Sequence, residues 1–243
     1  MESWNQAILL AKFELRNSKK ALVLLSLLLI PYAFFIIYST PMYLETGFVL
    51  YDPFFLIIIG VAALWARPKE FQLKRAGNNS WVNPYFIMLH QLPISREILI
   101  KNRFVIYYAY AVPLHTLFFM SIYIFSETMR TTLTFPQYVA FALIWISFGL
   151  YWGSIYPVTD LGEAPTSSNF KTYLYSILFI IVVCGGLFLL HVYTGYGVVY
   201  WTMIAAKKWP LLSSIASMIA AYIGTILALR QANKKIKEID YSI

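Results

Sequence analysis

Apolar residues in this chain fall into six long stretches that are separated by short polar or charged segments. Five of the stretches contain no charged side chain, and the sixth contains only Asp52. Because a helix needs about 20 apolar residues to cross the hydrocarbon core of a bilayer, each stretch is long enough for one membrane span. The pattern predicts an all-α integral membrane protein, a single transmembrane domain over residues 1–243. Its six transmembrane helices are expected at residues 21–43, 47–67, 104–126, 132–157, 172–190 and 209–230.

Residues 1–20 have the pattern of an amphipathic helix. Trp4, Ile8, Ala11 and Leu15 share one helical face, and most of the charged residues lie around the other. We expect an N-terminal interfacial helix that lies flat against the membrane, with a solubilising leader as the alternative. No small-residue cleavage site follows the first apolar stretch, which therefore predicts a signal anchor and not a cleaved signal peptide.

Composition and charge support this class and indicate an orientation. Hydrophobic residues make up 60% of the chain and charged residues 12%, against roughly 25% charged in soluble domains. If the N-terminus is cytoplasmic, 16 of the 19 lysines and arginines fall on the cytoplasmic side, and only Arg130, Lys207 and Lys208 fall outside. The positive-inside rule then predicts a multi-pass protein of the cytoplasmic membrane with both termini, including the tail 231–243, in the cytoplasm. The net charge of +8 indicates this orientation and some attraction to anionic lipids, and nucleic acid is not an expected partner.

Motifs for catalysis and metal binding are missing from the sequence. The chain has no GxxxxGK[ST] phosphate loop, no HExxH zinc pair and no GxSxG nucleophile elbow. The single cysteine, Cys184, lies in the fifth stretch, so an intrachain disulfide cannot form. We assign no catalytic residue and no metal ligand. A membrane enzyme with an unfamiliar site is kept as an alternative function.

Two polar residues within the apolar stretches have competing interpretations. Asp52 precedes Pro53, a combination typical of a helix start, and the alternative is a functional intramembrane acid. His115 follows Pro113 in the third predicted span and is our candidate for a substrate path. The alternative for His115 is a single hydrogen bond between helices.

The fifth uncharged run covers 35 residues, which is too long for one span and too short for two spans with a turn. Residues 191–208 are therefore expected to form an outer re-entrant segment, a short hairpin or a re-entrant helix pair, in which Gly195 and Gly197 provide the bend. Tyr196 and its aromatic neighbours favour headgroup depth. The segment Thr194–Gly197 resembles a potassium-channel filter, but the valine of that motif is missing, so a glycine turn is favoured.

The cytoplasmic loop 68–103 is the longest polar segment and contains a predicted helix. Asn83 followed by Pro84 is typical of a cap and first helical residue, and Pro93 limits the helix at its other end. Its apolar side chains cover too many faces for a solvated helix, which indicates a partner. Packing against the protein's own inner membrane surface is the alternative.

The segment Leu92–Lys101, LPISREILIK, together with this layout, resembles the permeases of type-2 ATP-binding-cassette (ABC) exporters. The resemblance implies that helix 84–91 is a coupling helix that docks into a separate ATPase subunit. Phe86, Ile87, Met88, Leu89 and His90 would then form the ATPase contact. The chain departs from the family in lacking an acidic residue in this helix.

The same resemblance implies a catalytically silent permease subunit. ATP and Mg²⁺ would be bound by the partner subunit, and this chain would bind no cofactor. A second permease copy or a paralogous permease would complete the transporter, in contact with membrane lipids. Few intramembrane charges favour an amphipathic or hydrophobic cargo such as a peptide, lipid or drug, and a channel or secondary carrier without an ATPase is the alternative function.

Overall fold

The computed structural model describes residues 2–65, 71, 74–76, 80–162 and 169–238, and nearly all of them are helical. Within these residues the strands β1 (Lys74–Ala76) and β2 (Ser80–Val82) form one antiparallel pair. The helices are α1 Glu2–Asn17, α2 Lys19–Thr46, α3 Tyr51–Trp65, α4 Pro84–His90, α5 Arg96–Phe125, α6 Glu127–Thr132, α7 Phe135–Gly153, α8 Ile155–Thr159, α9 Asn169–Thr194, α10 Val198–Lys208 and α11 Pro210–Glu238.

Four helices in the described part of the chain are long and apolar enough to cross a membrane. They cover Arg96–Phe125, Phe135–Thr159, Tyr173–Thr194 and Pro210–Lys237. A shorter apolar helical segment covers Tyr51–Val61. The predicted all-helical class is confirmed, apart from the small hairpin, and the dimensions of these helices are those of a membrane protein. The number of six spans stays a prediction.

Several helices differ in their bounds from the predicted spans; α3, for example, begins at Tyr51 and not at residue 47. Helix α5 begins at Arg96 and not near residue 104, because the Ser95 hydroxyl accepts a hydrogen bond from Ile98 N and caps the helix. Helix α9 continues to Thr194, and α11 continues to Glu238. The apolar stretches mark where a helix would meet lipid, whereas the helices extend through polar residues on either side.

The bundle has two distinct ends. At the first, which we call the α1 end, lie α1, α4, the beginning of α5 and the last turns of α11. At the second, the α6 end, lie α6, the turn between α2 and α3, and α10. Helices α2, α5 and α9 run from the α1 end towards the α6 end, and α3, α7 and α11 run back.

An aromatic cluster holds the centre of the bundle together. The buried Phe55 ring of α3 lies 4.8 Å from the Trp145 ring of α7 and 6.1 to 6.2 Å from the rings of Phe118, Phe119 and Phe141. Two of these contacts, with Trp145 and Phe118, are edge-to-face and the other two are tilted, and such contacts add to the stabilisation that comes from burying the rings. Helices α3, α5 and α7 therefore form a packed scaffold from which the two ends of the bundle are built.

Candidate functional site

The helix predicted from Asn83 and Pro84 is present as α4, Pro84–His90. The Asn83 side-chain oxygen accepts hydrogen bonds from Tyr85 N at 3.1 Å and Phe86 N at 3.2 Å. Its amide nitrogen donates to the carbonyl oxygen of Phe71 at 3.1 Å. One asparagine therefore starts α4 and ties it to the chain that precedes β1, which confirms the cap predicted from the sequence.

The exposed face of α4 is narrower than the sequence predicts. Phe86 is 1% exposed and Leu89 is 3% exposed, because both pack into a cluster formed by residues of α5, α8 and α11. The expectation that these two side chains contact a partner is therefore corrected, since the chain itself covers them. Ile87 and His90 are partly buried, and Met88 is the exposed apolar side chain of α4 at 49%.

A buried ion pair joins α1 to α5 beside α4. Arg103 Nη2 lies 2.8 Å from Glu14 Oε2, and neither side chain has any exposed surface. Arg103 Nε donates to the Asn102 side-chain oxygen, and the Asn102 amide donates to the carbonyl oxygen of Ala7. The Arg103 guanidinium lies 5.7 Å from the ring centroid of Tyr85. One arginine of α5 thus contacts both the N-terminal helix and the first turn of α4.

Helix α1 packs on α5 through a narrow face. Its buried positions are Ala7, Ala11 and Glu14, while Ile8 and Leu9 on neighbouring positions are exposed. Within the predicted apolar stripe, Trp4 and Ile8 are exposed and Ala11 is buried, so the placement of α1 flat against the membrane stays a prediction. The ion pair could not be predicted, because the partner of Glu14 lies 89 residues away in the sequence.

Charge and burial shift the titration of groups around α4. Burial lowers the pKa of His90, and the positive charge of Arg96 lowers it further. Burial also raises the pKa of Tyr85. The α1 end therefore presents a neutral histidine beside basic side chains at neutral pH.

At the α6 end, the Asp52 carboxylate caps a helix other than its own. Asp52 is 2% exposed, and its Oδ1 accepts hydrogen bonds from Val199 N at 2.7 Å and from the Tyr43 hydroxyl at 3.2 Å. The same Tyr43 hydroxyl accepts a hydrogen bond from Tyr200 N at 3.0 Å. Gly197, the residue before α10, has no side chain with which to cap it. A carboxylate at this N-terminus satisfies free amides and complements the helix dipole.

The segment predicted to be a re-entrant hairpin or helix pair is helical on both sides of a break at its glycines. Residues 191–194 are the last turn of α9, and a break at Gly195 to Gly197 leads into the single helix α10. Gly195 has a φ of +76°, so it provides the predicted bend. Gly197 leaves room for the Asp52 carboxylate, because a Cβ there would lie 1.8 Å from Asp52 Oδ2. The Tyr196 hydroxyl donates to the carbonyl oxygen of Leu44 at 3.2 Å.

His115 lies between three helices. It is 2% exposed, and its Nε2 is 3.0 Å from the carbonyl oxygen of Ile59 in α3. A Cβ on Gly149 of α7 would lie 2.5 Å from the imidazole Cε1, so the glycine makes room for the ring. These contacts favour the interpretation of His115 as a hydrogen-bonded packing residue over a role in a substrate path.

Helix α9 presents an unusually large apolar surface. None of the side chains in its most apolar window is buried. The Phe179 ring stacks on Trp152 of α7 at 5.6 Å, while Cβ atoms built on Gly185 and Gly186 would have no neighbour within 4 Å. In a bilayer this surface is available to lipid or to another apolar helix.

Comparison with known proteins does not assign a family. No protein-family model, curated protein or solved structure matches this chain. In the parts of the chain that the structure describes, no group of three or more His, Cys, Asp or Glu side chains is placed to hold a metal ion. The candidate functional regions are α4 with the Arg103–Glu14 ion pair at the α1 end, and α10 with Asp52 at the α6 end.

Proposed function

We propose that this protein is the transmembrane permease subunit of an ATP-driven exporter of the type-2 ABC class. It moves an amphipathic or hydrophobic cargo across the cytoplasmic membrane, and a separate ATPase subunit binds ATP and Mg²⁺. The six spans of this proposal are α2, α3, α5, α7 with α8, α9 and α11, and both termini are cytoplasmic. The α1 end is then the cytoplasmic end, which agrees with the positions of Lys12, Arg16 and Lys101.

The observation that carries the proposal is the construction of α4. This short helix lies between α3 and α5 in the sequence and is capped by Asn83. Phe86 and Leu89 anchor it to α5 and α11, while Met88 is exposed. A force applied to Met88 would therefore be passed to the bundle by packed side chains and not through a loose loop. Rigid transmission of this kind is what mechanical coupling to an ATPase requires.

The ion pair of Arg103 and Glu14 supports the same proposal. Arg103 contacts Glu14, Asn102 and Tyr85, so α1 and α4 are both held against the beginning of α5. A displacement of α4 would therefore move α1 and α5 together. In the proposed cycle, dimerisation of the ATPase subunits around nucleotide shifts α4, and the spans α2, α3 and α9 move in response.

The proposal includes a second permease, either another copy or a paralogue, because the apolar side chains of α9 are not covered by the rest of a single chain. Gly185 and Gly186 leave open space in which another helix could approach closely. Small residues allow such approach between membrane helices, where van der Waals packing drives association. The cargo path would run between the two permeases, lined by apolar surface, which suits an amphipathic or hydrophobic molecule.

The test is copurification with an ATPase. Candidate ABC ATPases, beginning with any encoded beside this gene, are coexpressed with the tagged permease, and the recovered ATPase and its activity are measured. Met88→Asp places a charge in the proposed contact, and Leu92→Asp is the matched control because Leu92 is 48% exposed and lies beyond the end of α4. We expect Met88→Asp to reduce ATPase recovery at least tenfold, on the order of a lost interface hot spot.

Membrane insertion and yield of both variants are measured in parallel. Normal ATPase recovery with Met88→Asp would contradict the assignment of α4 as the contact. Equal losses in Met88→Asp and Leu92→Asp would show that any acid near the membrane surface has this effect, and the assignment would then be wrong. If no ABC ATPase copurifies with the unaltered protein, the exporter proposal itself fails.

A further inference from the structure

Two apolar grooves flank the half of α5 that lies towards the α6 end. The first lies between α2 and α5 and has a volume of about 610 Å³. Ala33, Phe34, Leu117 and Phe125 are among the side chains that line it, and Ser121 is one of its few polar residues. Its volume is in the range of sites that bind small molecules.

The second groove lies between α5 and α7 and has a volume of about 430 Å³. Its lining includes Met120, Tyr123 and Ile124 of α5, and Phe135 and Ala142 of α7. Tyr123 and Phe135 have their ring centroids 5.5 Å apart at the mouth of this groove. Aromatic side chains are typical of the boundary between headgroups and hydrocarbon, and these two lie near the α6 end of the bundle.

A ridge of exposed side chains separates the two grooves. Leu117, Met120 and Ile124 of α5 are 58%, 53% and 56% exposed. All three belong to one helix, so the grooves are separated by no more than the width of that helix, about 10 Å. Two extended hydrocarbon chains that belong to one molecule can lie on either side of such a ridge.

A cation sits where both grooves reach the α6 end. Arg130 of α6 is exposed, and its Nη1 donates hydrogen bonds to the carbonyl oxygens of Tyr123 and Ile124. Tyr123 and Ile124 line the second groove, and the next residue, Phe125, lines the first. The guanidinium is therefore fixed at the end of α5, at the point from which both grooves begin.

The charge of Arg130 is not neutralised by a carboxylate in the described structure. Its hydrogen bonds go to backbone carbonyl oxygens, and within the described residues no carboxylate, including that of Glu127 on the same helix, lies within ion-pair distance of it. A guanidinium anchored through one nitrogen still has donors directed elsewhere, and its planar fork matches a phosphate group.

We propose that this end of α5 binds one diacyl phospholipid of the leaflet on the α6 side. The phosphate lies on Arg130, and the two acyl chains lie in the two grooves on either side of the ridge. The positive charge of Arg130 above two apolar grooves complements a phosphate with two acyl chains, whether or not the protein is an exporter. It distinguishes this lipid from bulk lipid by a fixed headgroup contact.

The test measures binding of defined lipids to the purified full-length protein by native mass spectrometry. The probes are dioleoyl phosphatidylglycerol and dioleoylglycerol, which has the same chains and no phosphate. We expect Arg130→Gln to weaken phosphatidylglycerol binding about tenfold, on the order of one lost charge-assisted hydrogen bond pair, and to leave dioleoylglycerol binding unchanged. Arg130→Lys should recover part of the affinity because it keeps the charge.

Two further variants and a control separate the grooves from the charge. Ser121→Phe narrows the first groove and Ala142→Phe narrows the second, and each is expected to weaken binding of both probes. Lys208→Gln, which removes an exposed cation elsewhere at the α6 end, should leave binding unchanged. Equal affinity of the unaltered protein and Arg130→Gln would overturn the proposal, as would equal losses in Arg130→Gln and Lys208→Gln. Either result would show that the measured lipid is annular lipid without a specific headgroup contact.

Discussion

Removing one charge from the buried pair of Glu14 and Arg103 tests how α1 is held against the bundle. Both side chains are fully buried and lie 2.8 Å apart. Glu14→Gln keeps the shape of the side chain and leaves the Arg103 charge without its counter-ion. Breaking a buried pair in this way costs about 3–5 kcal/mol, because an uncompensated charge remains in a site shielded from water. We therefore expect a fall of this size in the free energy of unfolding.

A double-mutant cycle isolates the pair from its surroundings. Arg103→Met should destabilise the protein by a similar amount, whereas Glu14→Gln combined with Arg103→Met removes both charges and should cost less than the sum of the two single changes. Glu97→Gln is the matched control, because it removes a carboxylate that is 60% exposed from the neighbouring ion pair with Lys101. Exposed pairs of this kind contribute little, so Glu97→Gln should behave like the unaltered protein.

Unfolding is followed by tryptophan fluorescence while the purified protein in mild-detergent micelles is titrated with sodium dodecyl sulfate. Limited proteolysis of α1 provides a local measurement of its detachment. If Glu14→Gln and Glu97→Gln have equal effects, the buried pair does not hold α1 in place. Additive effects in the double mutant would likewise contradict a direct interaction between Glu14 and Arg103.

Two further predictions concern the other regions described. Gly197→Ala places a methyl group 1.8 Å from Asp52 Oδ2, so it should loosen α10 and increase proteolysis there. Gly185→Ala, whose methyl group meets no atom of its own chain within 4 Å, should leave proteolysis at α10 unchanged; equal proteolysis at α10 in the two variants would contradict the close packing. Burial and the charge of Arg96 lower the pKa of His90 below its ordinary value of 6.5. The folded protein therefore favours the neutral imidazole, and the stability that this group contributes is present above pH 6.5 and is lost as the pH falls through the folded-state pKa. His90→Gln should therefore lose less stability than the unaltered protein between pH 7 and pH 5, and parallel pH profiles would contradict this assignment.

The sequence predicted the elements whose causes are local. The cap at Asn83 and the bend at Gly195 depend on residue types that favour these conformations by themselves, and both are present. The apolar stretches likewise predicted the helical class, since their length and hydropathy are properties of each segment alone. Helix ends were less well predicted, because Ser95 and the polar last turns of α11 extend helices beyond the apolar stretches.

Contacts between distant segments could not be predicted from one sequence. Asp52 was expected to cap α3, but its carboxylate accepts from Val199, 147 residues away. Phe86 and Leu89 were expected at a partner interface, and their burial depends on α11, whose position relative to α4 is set by the whole bundle. Local pattern identifies a side chain that requires a partner, and only the three-dimensional arrangement determines which partner it finds.

The attachment of α9 at the α6 end has a mechanical consequence. Its 26 residues extend about 39 Å at 1.5 Å per residue. At the α6 end the backbone turns meet so closely that a Cβ on Gly47 would lie 2.3 Å from the Gly195 carbonyl oxygen. Helix α9 is held by this contact at its tip and by the stack of Phe179 on Trp152 of α7. If that stack opens, a tilt of about 10° around the glycine contact would move the opposite tip by about 7 Å. A change too small to disturb the hydrogen bonds around Asp52 would thus become a large displacement on the far side of the membrane.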